Sequence, residues 1–170
     1  MANTYTLIAS STVGSGGSAY IEFSSIPSTY TDLCVVFSAR SNRSADTDPI
    51  NLELNGSTIN DSSRYLYGDG SSAASGSSTS QTEIARMPAA NATASTFGNG
   101  LIYIPNYTSS NYKSSSGDSV TENNGTTAYA KLSAGLWSDT SAVTSVKITS
   151  QTGNNFVQYS TAYLYGIKNS

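Results

Sequence analysis

Apolar residues in this chain recur at every second position in short runs, and turn-forming residues interrupt these runs at short intervals. Tyr20-Ile21-Glu22-Phe23 and Val146-Lys147-Ile148 alternate polar and apolar, the period of a strand with one face wet and one buried. No stretch of good helix formers carries a 3.6-residue period. The chain is therefore read as all-β.

A strand begins at Tyr5-Thr6-Leu7-Ile8 and breaks at Ser15-Gly16-Gly17-Ser18. Residues 19–23 follow, then an irregular link containing Pro27, which cannot donate to a ladder. Residues 33–40 make the most apolar strand and the expected centre of a sandwich. Asn51-Leu52-Glu53-Leu54 closes on Asn55-Gly56, a type I′ hairpin signal, with a partner strand expected over 57–59. Arg64-Tyr65-Leu66-Tyr67 is the next run, and more strands fit 81–87, 97–104, 126–137, 143–150 and 156–167. Two polar stretches, 68–80 and 106–125, read as surface loops. About ten short strands spaced by turns fit one antiparallel, jelly-roll-like β-sandwich domain spanning 1–170.

Composition narrows function. Of 170 residues, 81 are Ser, Thr, Asn or Gly, and none is His. Small polar residues at this density bury little apolar surface. Alternating strands can still order them if they fill loops and the solvent-facing half of each strand. Without His, a Ser hydrolase has no proton acceptor of the usual kind, and the commonest metal ligand is missing. Cys34 stands alone in an apolar run and is expected to be buried and inert. The acids Glu22, Glu53, Glu83 and Glu122 are dispersed, three of them in expected strands at solvent-facing positions that discourage edge pairing. Asp46-Thr47-Asp48 and Gly68-Asp69-Gly70 are turn-borne acids of the type that ligates calcium, but neither matches an EF-hand loop. No catalytic residue, cofactor or metal is assigned.

The eight basic residues are scattered singly, against the clustering that nucleic-acid binding uses. Met1-Ala-Asn-Thr-Tyr-Thr lacks the basic and apolar regions of a secretory signal, and no run is long enough to insert in a membrane. Two uses remain for the residues present. Tyr103, Tyr107, Tyr112 and Trp137 could offer aromatic faces to host surface glycans. Alternatively, the mix of Tyr, Ser, Gly and Asn suits protein contacts, with rigid aromatic anchors among adaptable small polar groups.

The beginning, Met1-Ala-Asn-Thr-Tyr-Thr-Leu-Ile-Ala-Ser with Ile26-Pro27-Ser28-Thr29-Tyr30-Thr31-Asp32-Leu33, the segment Arg64-Tyr65-Leu66-Tyr67-Gly68-Asp69-Gly70, and the ending Ser160-Thr161-Ala162-Tyr163-Leu164-Tyr165-Gly166-Ile167-Lys168-Asn169-Ser170 resemble small virion structural proteins of marine and cyanobacterial tailed phages. The resemblance covers essentially the whole chain. It implies a location in the virion and a non-enzymatic role, foremost capsid decoration as a cement or knob protein. A tail-fibre or adsorption-apparatus component is the alternative. Phage accessory proteins of this kind are often jelly-roll modules that trimerise, so the resemblance also implies a homotrimer docked on major capsid or tail proteins.

Overall fold

The computed structural model describes residues 4–122 and 128–168. Among the described residues there are twelve strands and no helix: β1 Tyr5–Thr12, β2 Tyr20–Phe23, β3 Asp32–Ala39, β4 Thr47–Leu54, β5 Asp61–Gly68, β6 Ala73–Ser78, β7 Thr82–Pro88, β8 Gly98–Ile104, β9 Lys113–Glu122, β10 Ala128–Trp137, β11 Val146–Ser150 and β12 Thr161–Ile167. An eight-stranded sheet has the order β1-β12-β3-β8-β9-β10-β5-β6, and a four-stranded sheet the order β2-β11-β4-β7. Every pairing is antiparallel. The all-β antiparallel sandwich expected from the alternation is what the chain forms.

The core follows from the alternation. Ile21 and Phe23 of β2 are buried while Tyr20 and Glu22 are exposed, because β2 is an edge strand with one face on the core. Opposite them, β3 places Leu33, Val35 and Phe37 in the interior beside Ile102, Ile104 and Leu164, against Leu52, Ile50 and Ile148 of the small sheet. β3 lies between β12 and β8, and on its outward side Cys34 is buried between Tyr165 and Tyr103 while Val36 is exposed.

The Asn55-Gly56 turn has both residues at positive φ, 54° and 68°, the geometry of a type I′ turn. Asn55 also accepts through Oδ1 from the amides of Thr144 at 2.7 Å and Ser145 at 3.1 Å, tying the turn to the entry of β11. Its expected partner strand does not extend: Ser57 forms an isolated bridge to Leu54, and Ile59 is exposed.

Both expected loops contain strands. Within 68–80, β6 pairs with β5 from Ser63↔Ser78 to Gly68↔Ala73. The turn is closed by Asp69, whose Oδ1 accepts from the amides of Ser71 and Ser72 at 2.9 and 2.7 Å. Small residues are required here, since a Cβ on Gly76 would lie 2.4 Å from the Tyr65 ring. Within 106–125, β9 pairs with β8 and β10. Positions 126 and 127 of the expected strand 126–137 lie outside the described residues, as do 123–125 of the expected loop and 1–3 and 169–170 of the segments that carry the resemblance.

β9 and β10 invert the expected placement of small residues. Ser115, Gly117, Ser119 and Thr121 of β9 point inward, as do Ser133 and Gly135 of β10. The reason is β7, the edge of the small sheet, which packs against β9, β10 and β5. Ser63 Oγ accepts the Glu83 amide at 3.2 Å and Ser119 Oγ accepts the Arg86 amide at 3.0 Å. Serine side chains thus replace a neighbouring strand for two donors that an edge would leave unpaired. A Cβ on Gly117 would lie 2.3 Å from the Ile84 carbonyl oxygen, so only glycine admits β7 this closely.

Candidate functional site

With the small residues turned inward, the outward side of β10 carries Ala128, Ala130, Leu132, Ala134 and Leu136. Strand registers extend this apolar row across the sheet. Leu132 pairs with Leu66 of β5 on one side and Asp118 of β9 on the other, and Ala130 pairs with Val120. Leu132 is 62% exposed and Leu66 60%, with Val120 and Leu136 exposed beside them. Two hollows flank the Leu66–Leu132 ridge. One of about 650 Å³ is lined by Arg64, Leu66, Ser75, Ser77, Leu132 and Ala134. The other, of about 440 Å³, is lined by Leu66, Gly68, Ala73, Val120, Ala130 and Leu132.

The far half of the same outer face continues the pattern. Tyr5 and Leu7 of β1, Tyr163 of β12 and Val36 of β3 are all exposed. Contrast comes from the outer face of the small sheet. There Lys147 Nζ meets Glu53 Oε2 at 2.5 Å and lies 5.6 Å from the Tyr20 ring centroid, beside Glu22 in register. One sheet thus shows water a salt-bridged surface, while the other shows exposed leucines, valines and tyrosines among small polar residues and the charges of Arg64 and Asp118. Monomeric proteins rarely expose contiguous apolar patches above a few hundred Å², and covering a half-exposed leucine contributes roughly 1 kcal/mol. The large sheet's outer face has the character of a contact surface.

The four aromatics singled out from sequence do not form one site. Tyr107 is 0% exposed, its hydroxyl donating to the Pro27 carbonyl and its own carbonyl accepting the Val143 amide at 2.9 Å. Trp137 is 4% exposed, at the inward end of β10 with Lys113 Nζ 5.9 Å from its ring. Both are interior residues, a correction to their reading as contact aromatics: inward alternation on β10 and an interior hydroxyl acceptor fix them there. Tyr103 lies half-buried on the outer face, its hydroxyl donating to Asp32 Oδ2 at 2.6 Å. That bond to a carboxylate pushes its pKa up to about 12. Tyr112, exposed in the loop before β9, is the one of the four that offers a free aromatic face.

The acids disperse as expected, with one correction. Glu22, Glu53, Glu83 and Glu122 lie on β2, β4, β7 and β9. Glu83 does not face solvent: it is buried against the ammonium of Lys131, with Arg86 Nη2 at 3.6 Å. β7 has both faces covered, so its alternation cannot deliver an exposed side. Burial, the largest effect, lowers the Lys131 pKa to about 8, opposed by Glu83. Glu122 accepts from Thr93 and Thr96.

Asp48 sits within β4 rather than in a turn. It is buried and accepts from Ser150 Oγ and Thr152 Oγ1, each at 2.8 Å. Among the described residues no group of three or more His, Cys, Asp or Glu is placed to hold a metal ion. Cys34 is buried but on the outward side of β3, flanked in register by Tyr165 and Tyr103, and burial pushes its thiol up to about 11.

The outward apolar row is hard to see in the sequence because two of the strands beside it, β6 and β9, fall in the polar stretches 68–80 and 106–125 that read as loops. Its signal was Ala128-x-Ala130-x-Leu132-x-Ala134-x-Leu136, an alternation whose partners Lys131, Ser133 and Gly135 gave no hint of which face was buried. No protein-family model and no curated protein matches this chain.

Proposed function

We propose that this protein is a non-enzymatic virion structural component that acts by binding other proteins, itself included, through the outer face of its large sheet. The observation that carries the reading is that face: exposed leucines, valine and tyrosines on one sheet, opposite a salt-bridged face on the other. A surface of this kind, left in water, is an association liability unless a partner covers it. The resemblance to tailed-phage virion proteins gives the setting, with capsid decoration foremost and a tail or adsorption component as its alternative.

Strand order supports the module type. β1-β12-β3-β8 opposes β2-β11-β4-β7, and we infer that this frame is a jelly roll. The β5–β6 and β9–β10 hairpins are then insertions that widen one sheet. A host-glycan role has less to rest on, because Tyr107 and Trp137 are interior and Tyr103 already spends its hydroxyl on Asp32.

Imaging intact particles from cells that make a tagged chain tests the reading. Label in a regular array on shell or tail is the expected result. Particles without label overturn the virion assignment.

A further inference from the structure

The outer face of β9, β10, β5 and β6 is complementary to itself. From this we propose that it binds a second copy of this chain in a two-fold, face-to-face contact. The inference rests on the self-association in the reading above and adds its geometry.

Arg64 and Asp118 are the charged residues on this face among the described residues, apart from Glu122 at the end of β9, which is engaged by Thr93 and Thr96. Arg64 lies two strands and two residues from Asp118, since Leu132 pairs with both Leu66 and Asp118. Strand spacing of ~4.8 Å and a rise of ~3.3 Å per residue place them about 12 Å apart, too far to pair within one chain. The Arg64 guanidinium instead donates to the Ser63 and Ser78 carbonyls, and neither charge has an ion-pair partner among the described residues.

A two-fold axis parallel to the face and midway between these residues exchanges them. Arg64 of each copy then meets Asp118 of the other, twice over. The same rotation sets Leu132 over the hollow bounded by Arg64, Leu66 and Ala134, and Leu66 over the hollow bounded by Val120, Ala130 and Gly68. Each ridge fills the other copy's hollows while the opposite charges pair at the rim. Such an isologous match is what a closed dimer requires. The three-fold association implied by the phage resemblance uses two different patches and would not bring these residues together.

The test is the mass of the purified chain by light scattering across a concentration range, for wild type and three charge variants. Wild type should reach twice the chain mass. Arg64→Asp alone and Asp118→Arg alone should each weaken the dimer about tenfold or more, because each reversal opposes like charges at two symmetric places. The double variant R64D/D118R should recover to within about threefold of wild type, a rescue that damage to folding would not produce. A monomer at every concentration, a trimeric mass, or a double variant no better than the singles overturns the proposal. A monomer that still decorates particles removes this contact and leaves the virion reading standing. A dimer that is absent from particles does the reverse.

Discussion

Lys131 on β10 and Glu83 on β7 form an ion pair inside the protein, where the β9-β10-β5 part of the large sheet meets the edge of the small one. Lys131 also lies 3.9 Å from the Tyr65 ring centroid, so one ammonium ties β10 to both β7 and β5. The pair holds in place the strands that carry the outer apolar face.

Removing one member strands the other. Lys131→Met leaves Glu83 buried with Arg86 as its remaining countercharge, and we expect a loss of about 3 kcal/mol in urea unfolding. Adding Glu83→Gln should recover part of that loss by removing the orphaned carboxylate. A double variant as unstable as the sum of the singles would mean that the two residues do not interact.

The approach of β7 to β9 gives a second test. Gly117→Ala would press a methyl group on the Ile84 carbonyl and is expected to cost about 2–3 kcal/mol. Gly14→Ala, where nothing lies within 4 Å, should change stability by less than about 0.5 kcal/mol. Thermal melts of the two variants compare them directly.

Asp61 gives the fold a pH dependence. Burial, followed by the charge of Glu53, raises its pKa from 3.8 to about 6. Between these values the folded chain holds a proton that the unfolded chain has lost, so this group's contribution to stability rises as pH falls from 6 to 4. Above pH 6 the buried carboxylate is a net cost. Asp61→Asn should therefore stabilise the protein at pH 8, by about 1 kcal/mol, and lose that advantage near pH 4. Melting temperatures of both chains across this range check the sign.

Aromatic truncations should separate interior from surface. Trp137→Ala is expected to cost about 3–5 kcal/mol, whereas Tyr112→Ala, at an exposed loop, should cost less than about 0.5 kcal/mol. Equal losses at the two sites would contradict their placement.

The sequence was most readable where one strand face meets the main core. β2 and β11 alternate plainly because their inward residues are Ile, Phe and Val. It was least readable where a strand's inward neighbour is another strand's edge. There the inward residue must be Ser or Gly, as at Ser119 and Gly117, to bond or admit β7. Alternation alone then points the wrong way: serine reads as solvent-facing and leucine as buried, while Leu132 is the exposed one. The same inversion conceals the exposed apolar row and makes Trp137 look available in the sequence. Asn55-Gly56 was legible because its turn chemistry is local, needing two residues at positive φ and no knowledge of the rest of the fold.

Thiol labelling reads the coverage of the outer face directly. One variant carries Ser116→Cys on the outward side of β9, and a second carries Glu22→Cys on the outward side of β2, both exposed in the single chain. Buried Cys34, with its thiol raised to about 11, contributes a slow background. Labelling rates are compared at low and high protein concentration. If the large sheet's outer face is the contact surface, the thiol at position 116 becomes protected as concentration rises while the thiol at position 22 does not. Equal rates at position 116 across the whole range, or protection at position 22 alone, would contradict the account.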